Sequence, residues 1–483
     1  MTPDWVKHAV FYQIFPDRFA RSGRVTAQEG LNLKPWGTDP AEQGFQGGDL
    51  YGVIDRLDAL ADLGVTALYL NPIFASAANH RYHTYDYYTV DPLLGGNDAL
   101  RALLDAAHDR GVRVVLDGVF NHASRGFWPF HHVLENGGDS PYIDWFEIHD
   151  WPLRPYAPDA ETPHNYDAWM DLPALPAFNT DHPEVRQYLF DVATHWIEFG
   201  IDGWRLDVPY EIDDDAFWHT FRQRVKGINP EAYIVGEVWG EAQRWLQGDQ
   251  FDAVMNYPRA SAVLGFFGAD TLRPVQQGPF TVEPMEAPAF ADAITRLLDL
   301  YPRPVTQAQL NLLGSHDTPR ALWMLGDDPA ALRLSVLFQM TMPGAPCLYY
   351  GDEIGLSSRG DPHCREAFPW DDRGAWTHDL RAAIADAAAL RHAHPVLRTG
   401  NVEMLYAEGR GLAFRRFDEA SGDEALVAFN AGSRPAEVTL SPGAVDAARL
   451  SAAWPPDRTD SLDADGTDLA ISLPPQSARV WVA

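Results

Sequence analysis

Acidic side chains stand at the ends of four β-like runs, where they could act together as acids, bases and nucleophiles. Asp117, Asp207 and Glu237 lie in or just after three consecutive runs, and Asp317 follows a later one. Two carboxyl groups on adjacent strands can lie about 5 Å apart, the separation used to break a glycosidic bond with retention of configuration. A single acidic residue at a strand end more often forms a salt bridge or caps a helix, but four such ends meeting at one place favour chemistry.

Arg205 precedes Asp207 by two residues, and on a strand this spacing places both side chains on the same face. A guanidinium beside a carboxyl group favours its ionised form and fixes its orientation, as a nucleophile requires. The alternative is a purely structural ion pair of Arg205 with Asp117 or Asp207 inside the sheet. Both interpretations can hold together, because orienting a nucleophile is the function of such a pair.

Eight short apolar runs alternate with helix-like stretches from about residue 9 onward. The runs lie at 10–15, 67–70, 112–119, 201–208, 233–238, 251–255, 310–313 and 347–350. Helical spacing of apolar residues, ended by a glycine, marks helices at 51–63, 98–110 and 182–199. This alternation favours the α/β class and a (β/α)8 TIM barrel, in which the active site lies at the carboxyl ends of the strands.

Two further parts are predicted beside the barrel. Roughly 60 residues rich in Trp, Pro, Asp and His follow the third run, too many for a structureless loop. Alternating strands at 412–417, 426–430, 436–440 and 478–482 are typical of an all-β sandwich. The predicted domains are the barrel (domain A) at 1–121 and 179–397, an inserted domain B at 122–178, and a C-terminal β-sandwich (domain C) at 398–483.

The formal net charge of the 483 residues is −31. Such a surface repels phosphate backbones and anionic lipids, so we expect no nucleic-acid partner and no membrane partner, whereas a neutral substrate is indifferent to the charge. The 16 Trp and 18 Tyr residues offer flat faces for sugar rings, although most aromatic side chains pack in cores. The charge-rich tract at 457–468 has the composition of a solvated loop.

Targeting signals and metal-binding patterns are missing from the sequence. Cys347 and Cys364 match no metal-ligand spacing and form no disulfide framework. The first residues show no basic segment followed by an apolar one, so no signal peptide is predicted. No stretch reaches 18 apolar residues, so no transmembrane helix is predicted either. The predicted location is cytoplasmic, unless a leader has been removed.

Four short motifs at the strand ends resemble the four conserved regions of the α-amylase superfamily, glycoside hydrolase family 13. They are Asp-Gly-Val-Phe-Asn-His at 117–122, Gly-Trp-Arg-Leu-Asp-Val at 203–208, Gly-Glu-Val-Trp at 236–239 and Ser-His-Asp at 315–317. They occur in the order of the family and on the matching strands. The segment at 11–19 also resembles the first barrel strand of the family, and 82–87 its second-strand loop, so the resemblance covers essentially the whole chain.

The resemblance implies a role for each matching residue. Asp207 is the expected nucleophile, Glu237 the expected acid/base and Asp317 the expected third catalytic carboxylate. Asp117 is expected to support Arg205, and Tyr82 to stack under the reacting sugar. The expected substrate-binding residues are Tyr82, His122, Arg205, His316 and Trp239, although the aromatic side chains near Trp239 either line the cleft or simply pack.

Two segments resemble the group that contains cyclomaltodextrinase, maltogenic amylase and neopullulanase. They are Val-Pro-Tyr-Glu-Ile at 208–212 and the stretch at 172–179 near the end of domain B. The resemblance implies hydrolysis of α-1,4 links in cyclodextrins, maltooligosaccharides, pullulan or starch, sometimes of α-1,6 links, together with glycosyl transfer. The alternatives are an α-glucosidase or transglycosylase acting on short oligosaccharides and, from another class, a non-catalytic carbohydrate-binding protein.

The chain departs from that group in two respects. Group members usually carry an N-terminal β domain, whereas this chain starts almost on the first barrel strand, so we expect that domain to be absent and the oligomeric state to be open. Many relatives bind calcium after the first strand through Asn and Asp side chains. Here residues 20–26 supply few oxygen ligands before Asp49, so we predict no metal at this site and no required cofactor. The role of Asn121, close to a calcium ligand in many relatives, is left open.

Overall fold

A computed structural model of the chain describes residues 2–156, 161–268, 270–456, 462 and 469–483. The strands of the described residues, in chain order, are β1 Phe11–Ile14, β2 Ala67–Leu70, β3 Phe74–Ser76, β4 Thr84–Val90, β5 Arg113–Gly118, β6 Gly203–Leu206, β7 Tyr233–Gly236, β8 Ala253–Val254, β9 Val275–Gln277, β10 Phe280–Val282, β11 Leu310–Asn311, β12 Ala345–Tyr349, β13 Asn401–Glu408, β14 Gly411–Phe417, β15 Glu424–Asn430, β16 Ala436–Leu440, β17 Ser451–Trp454, β18 Leu469–Leu473 and β19 Ser477–Val482.

The α-helices alternate with these strands and then give way to sheet after residue 400. In chain order they are α1 Pro16–Phe19, α2 Leu50–Ile54, α3 Leu57–Ala61, α4 Gly96–His108, α5 Trp128–Asn136, α6 Pro183–Phe199, α7 Asp215–Ile228, α8 Tyr257–Phe267, α9 Ala287–Asp299, α10 Arg303–Ala308, α11 Ala321–Met324, α12 Pro329–Thr341, α13 His378–Ala393 and α14 Val396–Thr399.

Eight parallel strands form one sheet in the order β11-β12-β1-β2-β5-β6-β7-β8. A parallel bridge between Met255 and Leu310 brings the two edges together, so the sheet closes into a barrel. Every residue of the eight strands is buried, apart from Arg113 at the start of β5. The predicted fold class is confirmed: each of the eight predicted runs overlaps one barrel strand, and the carboxyl ends of the strands meet at one rim.

The predicted helices occur at the predicted positions, but their boundaries and number differ from the prediction. The stretch predicted as one helix at 51–63 forms two short helices, α2 and α3. Helix α6 begins with Pro183 and ends at Gly200, whose φ of 113° suits glycine. The side chain of His182, the residue before the helix, accepts no hydrogen bond from its first turn.

The described residues of the segment 122–178 lie over the barrel rim and fold around an aromatic cluster. Phe130 packs against Phe146 and Tyr166, with ring centroids 4.9 and 5.0 Å apart, and Phe146 stacks on Phe178. A backbone bridge joins His122 to Ala177, which brings the two ends of the segment together. The segment therefore enters and leaves at the carboxyl end of β5, beside the acidic residues.

The C-terminal part is antiparallel, with a five-stranded sheet in the order β13-β14-β15-β19-β17 and a second sheet of β16 and β18. Buried apolar side chains of both sheets form a core of their own, including Leu426, Val438 and Trp481. The strands β13, β17 and β18 were absent from the sequence prediction. Phe429 contacts Phe338 of α12, which ties this part to the barrel. The charge-rich tract at 457–468 lies outside the described residues, except for Leu462.

Within the described part of the chain, no helix combines the length and the apolar composition needed to cross a bilayer.

Candidate active site

The barrel brings the four predicted carboxyl groups to one rim. Asp117 lies in β5, Asp207 directly follows β6, Glu237 directly follows β7, and Asp317 lies six residues after the end of β11. The strands β5, β6 and β7 are neighbours in parallel register, with Asp117 opposite Arg205 and Arg205 opposite Val235. The side chains of Asp117, Arg205, Asp207 and Glu237 are all buried below the mouth of the barrel.

Arg205 joins three of these carboxyl groups. Its Nη1 donates to Oδ1 of Asp117 and to Oδ1 of Asp207, both at 2.8 Å, and its Nη2 lies 2.9 Å from Oε1 of Glu237. The guanidinium is fully buried, so solvent does not screen these interactions. The catalytic interpretation and the structural salt-bridge interpretation therefore describe the same contacts.

Val208 adds a second link between the same carboxyl groups. It directly follows Asp207, and its backbone N–H donates to Oε2 of Glu237 at 3.1 Å. Its φ is 35°, a left-handed conformation that β-branched residues rarely adopt. Strained backbone of this kind is held in place by its surroundings and is concentrated at functional sites.

The protonation of the cluster follows from its charges. Burial raises the pKa of Asp207 well above its usual value; Arg205 acts in the opposite direction, and the charges of Glu237 and Asp117 raise it further. Burial also raises the pKa of Asp117, to about 6, against the effect of Arg205. One guanidinium cannot neutralise three buried carboxylates, so the cluster favours retention of a proton, as catalysis by one acid and one carboxylate requires.

Tyr82 connects the cluster to the seventh barrel strand. Its hydroxyl donates to Oδ2 of Asp117 at 2.8 Å and lies 2.6 Å from Nε2 of His316. The rings of Tyr82 and His316 are nearly parallel, 7° apart, with centroids separated by 5.3 Å. The hydroxyl of Tyr69 donates to the same oxygen of Asp117. Tyr82 lines the cleft, where its role as the predicted sugar platform stays a prediction.

His122 lies on the other wall, against the inserted segment. Its ring stacks on Trp169 at 5.1 Å and 16°. Burial lowers the pKa of His122 to about 3, so the ring is neutral at ordinary pH. Its Nε2 is buried and has no hydrogen-bond partner among the residues described, although it belongs to a cleft-lining side chain. A sugar hydroxyl would satisfy this nitrogen.

Trp239 contacts the predicted acid/base directly. Its indole N–H donates to Oε1 of Glu237 at 3.0 Å. The indole stacks on Tyr257 at 4.6 Å and 16°, and Phe280 packs edge-on against it. The aromatic side chain thus both lines the cleft and packs, which joins the two interpretations that the sequence left open.

Asp317 is held by the predicted residue His316 and by two residues that were not predicted from the sequence, Arg365 and Gln277. Its side chain contacts Nε2 of His316 at 3.1 Å and Nη2 of Arg365 at 3.2 Å. Its main-chain carbonyl accepts from Nε2 of Gln277 at 3.0 Å. Arg365 and Gln277 stand outside the recognised motifs, and in the sequence they carry no periodicity or spacing that marks them as active-site residues.

The predicted residues surround one cleft with a volume of about 590 Å³. All three predicted catalytic carboxyls and three of the predicted binding residues, Tyr82, His122 and Trp239, line it, whereas Arg205 and His316 are buried behind its surface. A second cavity of about 750 Å³ lies on the other side of Trp169 and Met170, and Asn121 and Glu211 line it. Met170 and Asp171 both have positive φ, of 52° and 56°, at this dividing wall.

Asp49, at the predicted site without calcium, serves as a helix cap. Its carboxylate accepts from the backbone N–H groups of Gly52 and Ser22, both at 2.8 Å. Among the described residues, no group of three or more His, Cys, Asp or Glu side chains is arranged to hold a metal ion. The absence of a required metal stays a prediction.

Comparison with known proteins gives consistent matches. Residues 13–381 match the family model described as the alpha amylase catalytic domain. A cyclomaltodextrinase of Geobacillus thermopakistaniensis is 46% identical over 442 residues, which are 91% of this chain and 71% of that protein. The structure of a debranching enzyme from Nostoc punctiforme has a TM-score of 0.91 at 46% identity, covering 100% of this chain and 99% of its own.

A further solved structure is the cyclic α-maltosyl-(1→6)-maltose hydrolase of Arthrobacter globiformis, in complex with that sugar. It has a TM-score of 0.86 at 38% identity, and the match covers 100% of both chains.

The pH dependence of catalysis is expected to report the charge of Asp117. Because this charge raises the pKa of Asp207, Asp117→Asn should lower that pKa and move the acid limb of kcat/KM to lower pH. The profile is measured on maltotriose, with Asp361→Asn at the cleft rim as the control that leaves the limb in place. An acid limb that stays or moves to higher pH in Asp117→Asn would contradict this assignment.

Proposed function

Because this chain belongs to the α-amylase family, glycoside hydrolase family 13, we propose that it cleaves α-1,4-glucosidic bonds by double displacement, with retention of configuration. The chain is an α-glucan hydrolase by its family and its relatives. The observation that carries the proposed mechanism is the buried guanidinium of Arg205, which contacts Asp117, Asp207 and Glu237 at once. One cation holds the proposed nucleophile and the proposed acid/base close together, as a retaining enzyme requires.

In the first step, a carboxylate oxygen of Asp207 attacks the anomeric carbon of the bound sugar. Glu237 gives its proton to the glycosidic oxygen, the bond from that oxygen to the anomeric carbon breaks, and the leaving chain departs as an alcohol. The hydrogen bond from Arg205 fixes the attacking carboxylate.

In the second step, Glu237 accepts a proton from water, and the water oxygen attacks the anomeric carbon and releases Asp207. A sugar hydroxyl in place of water would give glycosyl transfer. Val208 holds Glu237 next to the nucleophile through both steps, because its N–H donates to Oε2. We propose that Asp317 accepts hydrogen bonds from hydroxyls of the distorted sugar ring and stabilises the positive charge that the ring carries in the transition state.

The binding residues form two walls around the reacting sugar. On one wall, Tyr82 and His316 present a stacked pair of rings. On the other, His122 has an unsatisfied Nε2 that can accept from or donate to a hydroxyl. Trp239 covers the acid/base on the side of the leaving chain. A non-catalytic binding protein is the weaker alternative, since such a protein has no need for the buried charge cluster.

The proposed substrates are cyclodextrins, maltooligosaccharides, pullulan and starch. The match to a cyclomaltodextrinase supports this choice. Cleavage of α-1,6 links is the second candidate, because the Nostoc debranching enzyme and the Arthrobacter (1→6)-maltose hydrolase match the chain over its whole length. An α-glucosidase or transglycosylase acting on short oligosaccharides would use the same carboxyl groups. The cytoplasmic location stays a prediction of the sequence.

Substitutions of Asp207 and Glu237 distinguish the roles of these two carboxyl groups. Asp207→Asn should lower kcat on maltotriose by about 10⁴-fold or more, because the covalent step is lost. Glu237→Ala should lose comparable activity on maltotriose. Added azide should restore its turnover of α-maltosyl fluoride, because azide displaces Asp207 from the covalent intermediate and gives α-maltosyl azide with retained configuration. The measurements are initial rates and the anomeric configuration of products by NMR. Wild-type rates in Asp207→Asn, or a β-configured hydrolysis product, would contradict the mechanism.

Product analysis tests the choice of bond. We expect pullulan to yield trisaccharides that keep an α-1,6 link, because α-1,4 bonds are cleaved, and β-cyclodextrin to be opened faster than starch. Maltotriose as the main product of pullulan would instead support α-1,6 cleavage. Products are resolved over time by chromatography, with Asp207→Asn as the matched control. Starch cleaved faster than β-cyclodextrin would contradict the substrate preference and leave the catalytic roles intact.

A further inference from the structure

The hairpin of β9 and β10 crosses the rim between the strands that carry Glu237 and Asp317. It follows α8, and its tip residues Gln277 and Gly278 line the cleft. Its base is anchored on both sides. The N–H of Arg273 donates to the carbonyl of Met324, and the N–H of Met285 donates to the carbonyl of Gly265 in α8. The hairpin is therefore held as a rigid bridge over this part of the rim.

Gln277 reaches the main chain of the third carboxylate. Its Nε2 donates to the carbonyl of Asp317 at 3.0 Å. The backbone N–H of Asp317 donates to Oγ of Ser315 at 3.2 Å, and the Ser315 hydroxyl lies 3.3 Å from the hydroxyl of Tyr257. The peptide groups on both sides of Asp317 are thus held from the hairpin and from α8.

Phe280 acts on the other carboxylate through aromatic packing. It is buried and packs edge-on against Trp239, at 6.2 Å and 88°, and against Tyr257, at 5.7 Å and 72°. Trp239 in turn donates to Glu237. Because Tyr257 stacks on Trp239 and also reaches Ser315, Phe280 lies behind the contacts to both Glu237 and Asp317.

We propose that this hairpin sets the relative position of Glu237 and Asp317 in the reaction, with Gln277 and Phe280 as its positioning residues. The proposal rests on the roles of Glu237 and Asp317 in the proposed function and adds a residue pair that acts through them. Gln277 orients the carboxylate that stabilises the transition state. Phe280 orients the indole that holds the proton donor. Displacements of about 1 Å at such groups can change rates by up to about 100-fold.

Substitutions of Gln277 and Phe280 are expected to lower kcat/KM with a different dependence on the leaving group. Fluoride departs with little help from an acid, so α-maltosyl fluoride reports the transition-state carboxylate, whereas maltotriose also requires protonation by Glu237. Gln277→Ala should lower kcat/KM about ten-fold on both substrates. Phe280→Leu should lower kcat/KM about ten-fold on maltotriose and less than about two-fold on the fluoride.

The controls separate positioning from general damage. Gln276→Ala changes the exposed neighbour on the same strand and should keep wild-type kcat/KM. Thermal unfolding of each variant tests the fold, and Phe280→Met replaces Phe280→Leu if the latter does not fold. A loss of structure would lower kcat/KM on both substrates together with the unfolding temperature. An equal loss in Gln277→Ala at the wild-type unfolding temperature therefore supports the positioning of Asp317, and a leaving-group-dependent loss in Phe280→Leu supports the aromatic contact to Glu237.

The outcomes are distinct. If the wild-type enzyme is active and Gln277→Ala has the same kcat/KM as Gln276→Ala, the proposed role of Gln277 is overturned. Equal losses on both substrates in Phe280→Leu would overturn the link to Glu237. Wild-type enzyme that cleaves neither substrate would refute the proposed function itself, independently of the hairpin.

Discussion

A single buried cation holds the centre of this molecule together. Arg205 lies at the carboxyl end of a barrel strand and contacts three carboxyl groups on three neighbouring strands. Removing these carboxyls from water is costly, and the guanidinium offsets the cost only because its geometry lets it reach all of them. The rest of the rim supplies the hydrogen bonds that such a buried cluster needs, among them those from Tyr69, Tyr82 and Val208.

The elements outside the barrel act on this cluster from three directions. The inserted segment brings Trp169 against His122. The hairpin of β9 and β10 reaches Asp317 and, through aromatic packing, Trp239. A loop after β12 contributes Arg365, which contacts the side chain of Asp317. Each contact joins residues far apart in the chain, and each holds a polar group whose orientation matters for the reaction.

The barrel and the motifs at its strand ends were predictable because their signals are local. A strand buried on both faces is a continuous apolar run, and a helix ends where a glycine adopts positive φ, as at Gly200. The strands β13 and β17 were missed because β13 is only partly buried and β17 has only four residues, which leaves little pattern to detect. Strand β18 has the alternation typical of a strand and was missed all the same.

The sequence by itself determined the fold class, the family and the set of acidic and aromatic residues at the strand ends, because residue type and spacing along a strand or helix decide these. Only the tertiary structure decided that one guanidinium serves three carboxyls and that Nε2 of His122 is buried without a hydrogen-bond partner among the described residues. It also decided that Gln277 and Phe280 stand behind Asp317 and Glu237. Those relations depend on closure of the barrel and on packing across segments distant in the chain. No local pattern of residues encodes such distances.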